Sequence, residues 1–271
     1  MLTKLLKYEF RSIGRQLIPL YLGVLGLAVV NHFFWFSMPS NRGGLNDALG
    51  GVPAMATMMA YIAVIVALGV ITLLLIIQRF YKGLLTEEGY LMFTLPCKPW
   101  QLIAAKGITA ACMTIAASCV GFLSILLMAL NLSDWGNFFK GFAKIPWHEL
   151  FEAHALWPLY IVEFAILCIM ALFATVGHIY VSISVGHLSN KHRVACAILA
   201  YIGINIAWST LMVTLANILD MWSWDFRWLD SIGTPAEVHI VMFVMILSQL
   251  APAAVYFFST NWILSNKLNL E

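Results

Sequence analysis

The chain has 271 residues, of which 62% are hydrophobic and only 10% are charged. About a quarter of the residues of a soluble protein are charged, so a water-soluble core is excluded and lipid must be part of the solvent. The net charge of +2 is too small to indicate nucleic-acid binding, and the sequence predicts no nucleic-acid partner.

The chain begins with a basic, amphipathic segment, residues 1–16. A long apolar run follows it without the small-residue site that a signal peptidase cleaves. We therefore expect the first membrane span to remain in place as a signal anchor.

Six apolar runs each provide the roughly twenty residues that cross a bilayer core as a helix. They are approximately Leu17–Phe36, Ala54–Ile77, Leu102–Leu130, Leu156–Val185, Val194–Leu219 and Val238–Ile263. No connection between them is long enough for an independent domain. The sequence predicts an all-α integral membrane protein, with six transmembrane helices in a single domain over residues 17–271.

Lysine and arginine are distributed unevenly between the two sides of these spans. The N-terminal segment, the second and fourth connections and the C-terminus hold eleven of them, and the other three connections hold four. The positive-inside rule then places both termini in the cytoplasm of a plasma-membrane protein. None of the five cysteines falls in an outer connection, so we expect no disulfide framework.

The second connection carries the most informative pattern. Two acids precede a glycine, and a short apolar stretch then ends at a proline: Glu87, Glu88, Gly89, Tyr90, Leu91, Leu95 and Pro96. Pro96 and Pro99 prevent a continuous helix through this segment. An acidic turn, a short amphipathic helix and a proline break between two spans predict a compact cytoplasmic surface for docking a soluble partner.

This pattern resembles the cytoplasmic signature of permease subunits of type-2 ABC exporters, in their small six-helix bacterial form. The matching residues are Glu87, Glu88, Gly89, Tyr90, Leu91, Leu95, Pro96, Gln101, Leu102 and Lys106. The resemblance implies that residues 79–101 contain a coupling helix that docks in a cleft of an ATPase subunit. It also implies that residues 1–16 form an interfacial elbow helix. Lys98 stands where the family usually has a hydroxyl residue, so the details of that turn do not carry over.

A Walker A loop, which would bind nucleotide phosphates, does not occur in the sequence. The resemblance therefore implies a separate ABC ATPase subunit that binds ATP and Mg, and a second permease subunit, either identical or different. The sequence predicts no catalytic, cofactor or metal site on this chain and hence no enzyme activity of its own. The alternatives are an ATPase-independent secondary transporter or channel, and a membrane sensor or scaffold subunit that transports nothing.

Two further features indicate a substrate path. Glu163 is the carboxylate that lies well inside a predicted span, a position that marks a functional site by default. The alternatives are that it lines an external cavity, binds a basic substrate, snorkels to the membrane surface or bonds to a neighbouring helix. Trp222, Trp224 and Trp228 precede the sixth span and form either exit-gating helices or an aromatic belt. Aromatic outer segments suit an amphiphilic cargo, such as an antimicrobial peptide, a lipid-like compound or a drug.

Three smaller predictions concern packing. An amphipathic helix lying in the outer interface is predicted by four aromatic residues interspersed with lysines: Trp135, Phe138, Phe139 and Phe142, with Lys140 and Lys144. His178 and His187 are predicted to be buried inside the helix bundle with their hydrogen bonds satisfied.

Overall fold

The computed structural model describes residues 2–37, 45–86, 89, 98–129, 132–144, 157–189, 191–221 and 235–267. No β-strand occurs within these ranges. They contain seven α-helices, numbered in chain order: α1 Leu2–Ser37, α2 Leu45–Leu85, α3 Pro99–Ala129, α4 Leu132–Lys144, α5 Trp157–His187, α6 Arg193–Met221 and α7 Pro235–Asn266.

Six of these helices are long and apolar enough to cross a membrane. Their membrane-compatible stretches are Leu2–Phe33, Met55–Leu85, Pro99–Ala129, Trp157–His187, Arg193–Leu215 and Val238–Asn266. A helix satisfies its own backbone N–H and C=O groups, which hydrocarbon cannot do. Large apolar side chains are exposed along all six, as expected where the surrounding solvent is lipid. The predicted all-α, six-span, multi-pass membrane protein is confirmed.

The structure does not support a separate N-terminal amphipathic helix. Residues 2–16 form the first turns of α1, which continues without a break to Ser37. The amphipathic pattern is nevertheless visible, because Ile13 and Leu17 are buried while Arg11 and Arg15 are exposed. Periodicity shows which face of a helix is buried, but a break needs a proline or a capping residue. The only proline inside α1, Pro19, is accommodated within the helix.

The predicted amphipathic segment after the third span is a helix, α4. Within it the rings of Trp135 and Phe139 contact each other with centroids 5.8 Å apart. Residues four positions apart share a face of a helix, so both rings lie on one side. The location of this helix at the outer membrane interface remains a prediction.

The helices form two compact units. The first, which we call the N-terminal unit, comprises Thr3–Ile76 and Cys112–Glu149; the second, the C-terminal unit, comprises Met1–Leu2, Ile77–Ala111 and Leu150–Glu271. Thus α2 and α3 each contribute to both units.

The N-terminal unit combines two small apolar clusters with interhelical hydrogen bonds. The buried residues of these two clusters are Ile13, Leu17, Val24, Leu68, Met113 and Ala117. The Thr57 hydroxyl donates to the Asn31 side chain at 3.2 Å, and the Tyr61 and Ser124 hydroxyls lie 3.0 Å apart. Because lipid tails are as apolar as leucine, such polar contacts help to specify which membrane helices pair.

The C-terminal unit is built around α5, which packs against both α6 and α7. Glycine permits close approach at two points along α5. A Cβ at Gly177 would lie 3.2 Å from Tyr256 Cβ on α7, and one at Gly186 would lie 2.5 Å from Ala197 N on α6. Small residues at helix contacts are typical of membrane proteins, in which close packing takes the place of the hydrophobic driving force.

Candidate functional site

The predicted coupling segment lies between α2 and α3. Six of its predicted docking residues lie outside the described residues: Glu87, Glu88, Tyr90, Leu91, Leu95 and Pro96. The structure does describe Gly89 and the helix ends on either side, Leu85 and Pro99. Together with their neighbours in α2 and α3, these residues form the base of the segment.

Gly89 makes a tight turn directly after α2. Its backbone N–H donates to the Thr86 carbonyl oxygen at 2.7 Å, and the residue is buried. A Cβ at this position would lie 2.6 Å from the carbonyl oxygen of Leu84, a distance that no side chain tolerates. The glycine of the predicted pattern is therefore needed because the chain runs back against the last turn of α2.

Lys106 ties the start of α3 to the end of α2. The side chain is only 6% exposed, and its ammonium group donates to the Arg79 carbonyl oxygen at 3.1 Å. Gly83 makes room for this group, since a Cβ there would lie 2.5 Å from Lys106 Nζ. Lys106 thus holds together the two helices that lead into and out of the predicted coupling segment.

The base of the segment is also packed firmly against α5. The rings of Phe80 and Tyr180 are stacked, with centroids 4.0 Å apart and planes inclined by 14°. Phe80 and Leu84 are completely buried, and Tyr81 contacts His187 edge-on at 6.1 Å. Closely packed side chains transmit displacement, because protein interiors have low compressibility. A movement of the segment would therefore reach α5.

An apolar cavity of about 270 Å³ lies between α3, α5 and α7. Its lining residues are Ile103, Ala104, Gly107, Ile108, Phe173, Val176, Gly177, Tyr180, Ala253, Phe257 and Thr260. These walls are almost entirely apolar, so the cavity suits an apolar group better than a polar one. Tyr180 belongs both to this wall and to the stack with Phe80, so one side chain connects the cavity to the base of the coupling segment.

Glu163 forms a hydrogen-bonded pair with a histidine that the sequence reasoning missed. His239 Nδ1 lies 2.8 Å from Glu163 Oε1 and 3.0 Å from Oε2. The Tyr160 ring stacks on the imidazole with centroids 4.6 Å apart. The carboxylate fixes Nδ1 as the donor, while the buried Nε2 has no hydrogen-bond partner among the described residues. Of the predicted possibilities for Glu163, bonding to a neighbouring helix is the one observed.

The sequence did contain a signal for this pair. The spans that contain Glu163 and His239 both run inward from the outer side in the predicted topology. Glu163 is the seventh residue of α5, and His239 is the fifth residue of α7. At 1.5 Å per residue, the two lie at similar depths, so matching polar residues by depth would have suggested the contact.

Two other histidines lie within α5. His178 is buried, as predicted, and its Nε2 lies 3.2 Å from the Tyr201 carbonyl oxygen. Its ring is stacked on those of Tyr201 and Tyr256, at centroid distances of 4.2 and 5.2 Å. His187 is also buried, but its Nδ1 has no hydrogen-bond partner in the described part of the chain. The prediction of satisfied hydrogen bonds therefore does not hold for this atom.

The remaining predicted site residues, Trp222, Trp224 and Trp228, lie outside the described residues. Comparison with known proteins assigns no family: no protein-family model matches the chain, and no curated protein matches its sequence. The function is therefore inferred from the residues of this chain.

Proposed function

We propose that this chain is the permease subunit of an ATP-driven exporter of the type-2 ABC kind, located in a bacterial plasma membrane. ATP and Mg would be bound by a separate ATPase subunit, and a second permease subunit would complete the membrane part. The observation that carries the proposal is the segment from Glu87 to Lys106. Its sequence resembles a coupling helix, and its base is anchored by the Gly89 turn and the buried Lys106.

Force would enter the membrane domain through α5. Nucleotide-driven closure of the ATPase subunits would displace the segment formed by residues 79–101. The stack of Phe80 on Tyr180 would pass that displacement to the wall of the apolar cavity. The bundle would then change between two packings that differ in stability with and without nucleotide. The apolar cavity supports an amphiphilic cargo, such as an antimicrobial peptide, a lipid-like compound or a drug.

A cytoplasmic location of the N-terminus is part of the proposal and is supported by α1. Its first turns expose one basic stripe, formed by Lys4, Lys7, Arg11 and Arg15. The same face becomes apolar at Ile18 and Leu22, which are 55% and 65% exposed. Pro19 lacks an N–H, so the Arg15 carbonyl has no donor within the helix and needs polar surroundings. Both features support a membrane boundary near Arg15, with the basic turns on the cytoplasmic side.

The test is co-purification in detergent with an ABC ATPase from the same genome. We expect the native chain to retain the ATPase and the double variant Glu88→Lys plus Leu91→Asp to lose it. A reversed charge and an apolar-to-charged change in one small docking surface each remove affinity, so at least a hundredfold loss is expected, about 2.7 kcal/mol.

The matched control is Glu152→Lys plus Leu150→Asp, which makes the same two changes in an outer connection and should leave binding intact. Size-exclusion chromatography establishes that both variants remain monodisperse. If the coupling-segment variant binds the ATPase as tightly as the native chain does, the coupling assignment is wrong.

The hydrogen-bonded pair of Glu163 and His239 favours one rival, an ATPase-independent secondary transporter. Paired ionisable groups within spanning helices are typical of proton and substrate pathways. The two functions differ in their energy source. Transport by the purified chain in vesicles without any ATPase would support the rival, whereas ATPase activity that depends on this chain would support the exporter.

A further inference from the structure

Helix α6 is the least covered of the spanning helices. No residue of its membrane-compatible stretch, Arg193–Leu215, is buried. One side of the helix packs on α5, with closest approach at Ala197. The other sides are exposed, and most of their residues are apolar, as expected for contact with lipid. Among the polar residues that are also exposed, an asparagine near the middle of the helix fits that environment least.

That residue is Asn205. It lies twelve residues beyond Arg193, about 18 Å along the helix axis, which is close to the middle of a hydrocarbon core of about 30 Å. Its side chain is exposed, and its amide has no hydrogen bond to any described residue. A primary amide has two N–H donors and an acceptor oxygen, none of which acyl chains can satisfy. An exposed asparagine at this depth therefore indicates that another polar group covers it.

The residues around Asn205 form a helix-packing seam. Ile198, Ile202, Asn205 and Ser209 are all exposed, and they follow one another at intervals of four, three and four residues. This is the spacing by which two helices interlock along a shared face. A single asparagine in such a seam fixes the register of the two helices.

We infer that this seam binds the α6 seam of a second copy of the chain. Two copies inserted with the same orientation place their Asn205 residues at the same depth. A two-fold axis along the membrane normal then brings the two amides face to face, and each can donate to the other, because an amide is self-complementary. Ser209, one turn further along, adds a small hydroxyl residue of the kind enriched at membrane helix interfaces.

In the proposed function, a symmetric α6 dimer would mean that the second permease subunit is a second copy of this chain and that it binds through α6. The pairing is independent of the ATPase, since it rests on Asn205 and the seam alone. A chain that dimerises through α6 but binds no ATPase would uphold the α6 dimer and contradict the proposed function. A chain that binds the ATPase but does not dimerise through α6 would uphold the proposed function and contradict the α6 dimer.

Disulfide cross-linking in native membranes tests whether the two copies meet at the seam that contains Ile202. The five native cysteines are first replaced by serine, and a single cysteine is then introduced by Ile202→Cys. We expect oxidation to give a covalent dimer. The matched control is Gly203→Cys, which lies at the same depth on an exposed but different side of α6 and should remain monomeric. Equal cross-linking of both variants, or of neither, overturns the assignment.

Dimer strength in lipid nanodiscs or dilute micelles, measured by energy transfer between labelled copies, tests the role of the amide. Asn205→Leu should weaken association about tenfold, whereas Asn205→Gln keeps the amide and should lie near the native value. Thr210→Val removes a polar group from another side of the same helix and should change nothing. An Asn205→Leu variant that is monodisperse and dimerises as strongly as the native chain overturns the inference. Asn205 would then have to face a water-filled path or contact a different membrane subunit.

Discussion

Replacing Gly186 with alanine is expected to destabilise the C-terminal unit, because α5 and α6 touch at this residue. The new Cβ would lie 2.5 Å from both the Cβ and the backbone nitrogen of Ala197. Backbone atoms cannot move aside as the end of a flexible side chain can, so α5 and α6 must separate. Overpacking of this kind typically costs about 1–3 kcal/mol. The melting temperature in detergent should therefore fall by several degrees. It is measured from the fraction of protein that remains monodisperse after heating.

The control for this substitution is Gly203→Ala on α6. Nothing lies within 4 Å of a Cβ built at Gly203, and alanine favours helix over glycine by about 0.5–1 kcal/mol. This variant should therefore be as stable as the native chain or slightly more so. Equal stability of the two variants would show that α5 and α6 do not approach each other closely at Gly186.

The sequence was sufficient to predict the spans because their physical signal is strong. Some twenty consecutive apolar residues have few alternatives to a membrane helix. Four of the six predicted runs lie inside an observed helix, and the other two extend one residue beyond the described helix at one end. The beginnings of helices were harder to predict. The structure continues α1 back to Leu2 and α2 back to Leu45, well before the apolar runs begin at Leu17 and Ala54. Hydropathy detects the part of a helix that suits lipid, whereas the helix itself continues until a cap or a breaker ends it.

The candidate site was only partly predictable, because the sequence of a membrane helix gives little information on its rotation. In a soluble helix the polar face marks the outside, but lipid and the bundle interior are both apolar. The cavity beside Tyr180 and the partner of Glu163 depend on that rotation, so neither was predicted. Gly89 and Lys106 were identified from a resemblance. The reason they are needed, contact with Leu84 and Arg79, became visible only in three dimensions.

Replacing Glu163 while keeping His239 is expected to lower the free energy of unfolding substantially. Glu163→Leu would leave the imidazole without its carboxylate partner, while its Nε2 already has no partner among the described residues. His239→Leu would leave the carboxylate alone inside a spanning helix. The cost of each change is about 2 kcal/mol, below the range for fully buried pairs, because the two side chains are 22% and 19% exposed.

The double variant, with leucine at both positions, should be more stable than the sum of the single changes predicts. It leaves neither Glu163 nor His239 without its partner. The four proteins form a double-mutant cycle, in which the interaction free energy between the two side chains should reach at least about 1 kcal/mol. Glu163→Gln retains an acceptor for His239 Nδ1 and should cost less than Glu163→Leu. Thr175→Val on the same helix is the control, since among the described residues its hydroxyl bonds to the Ala171 carbonyl within α5 alone. Strictly additive effects would show that Glu163 and His239 do not stabilise each other, and the role of Glu163 would then have to lie with a ligand.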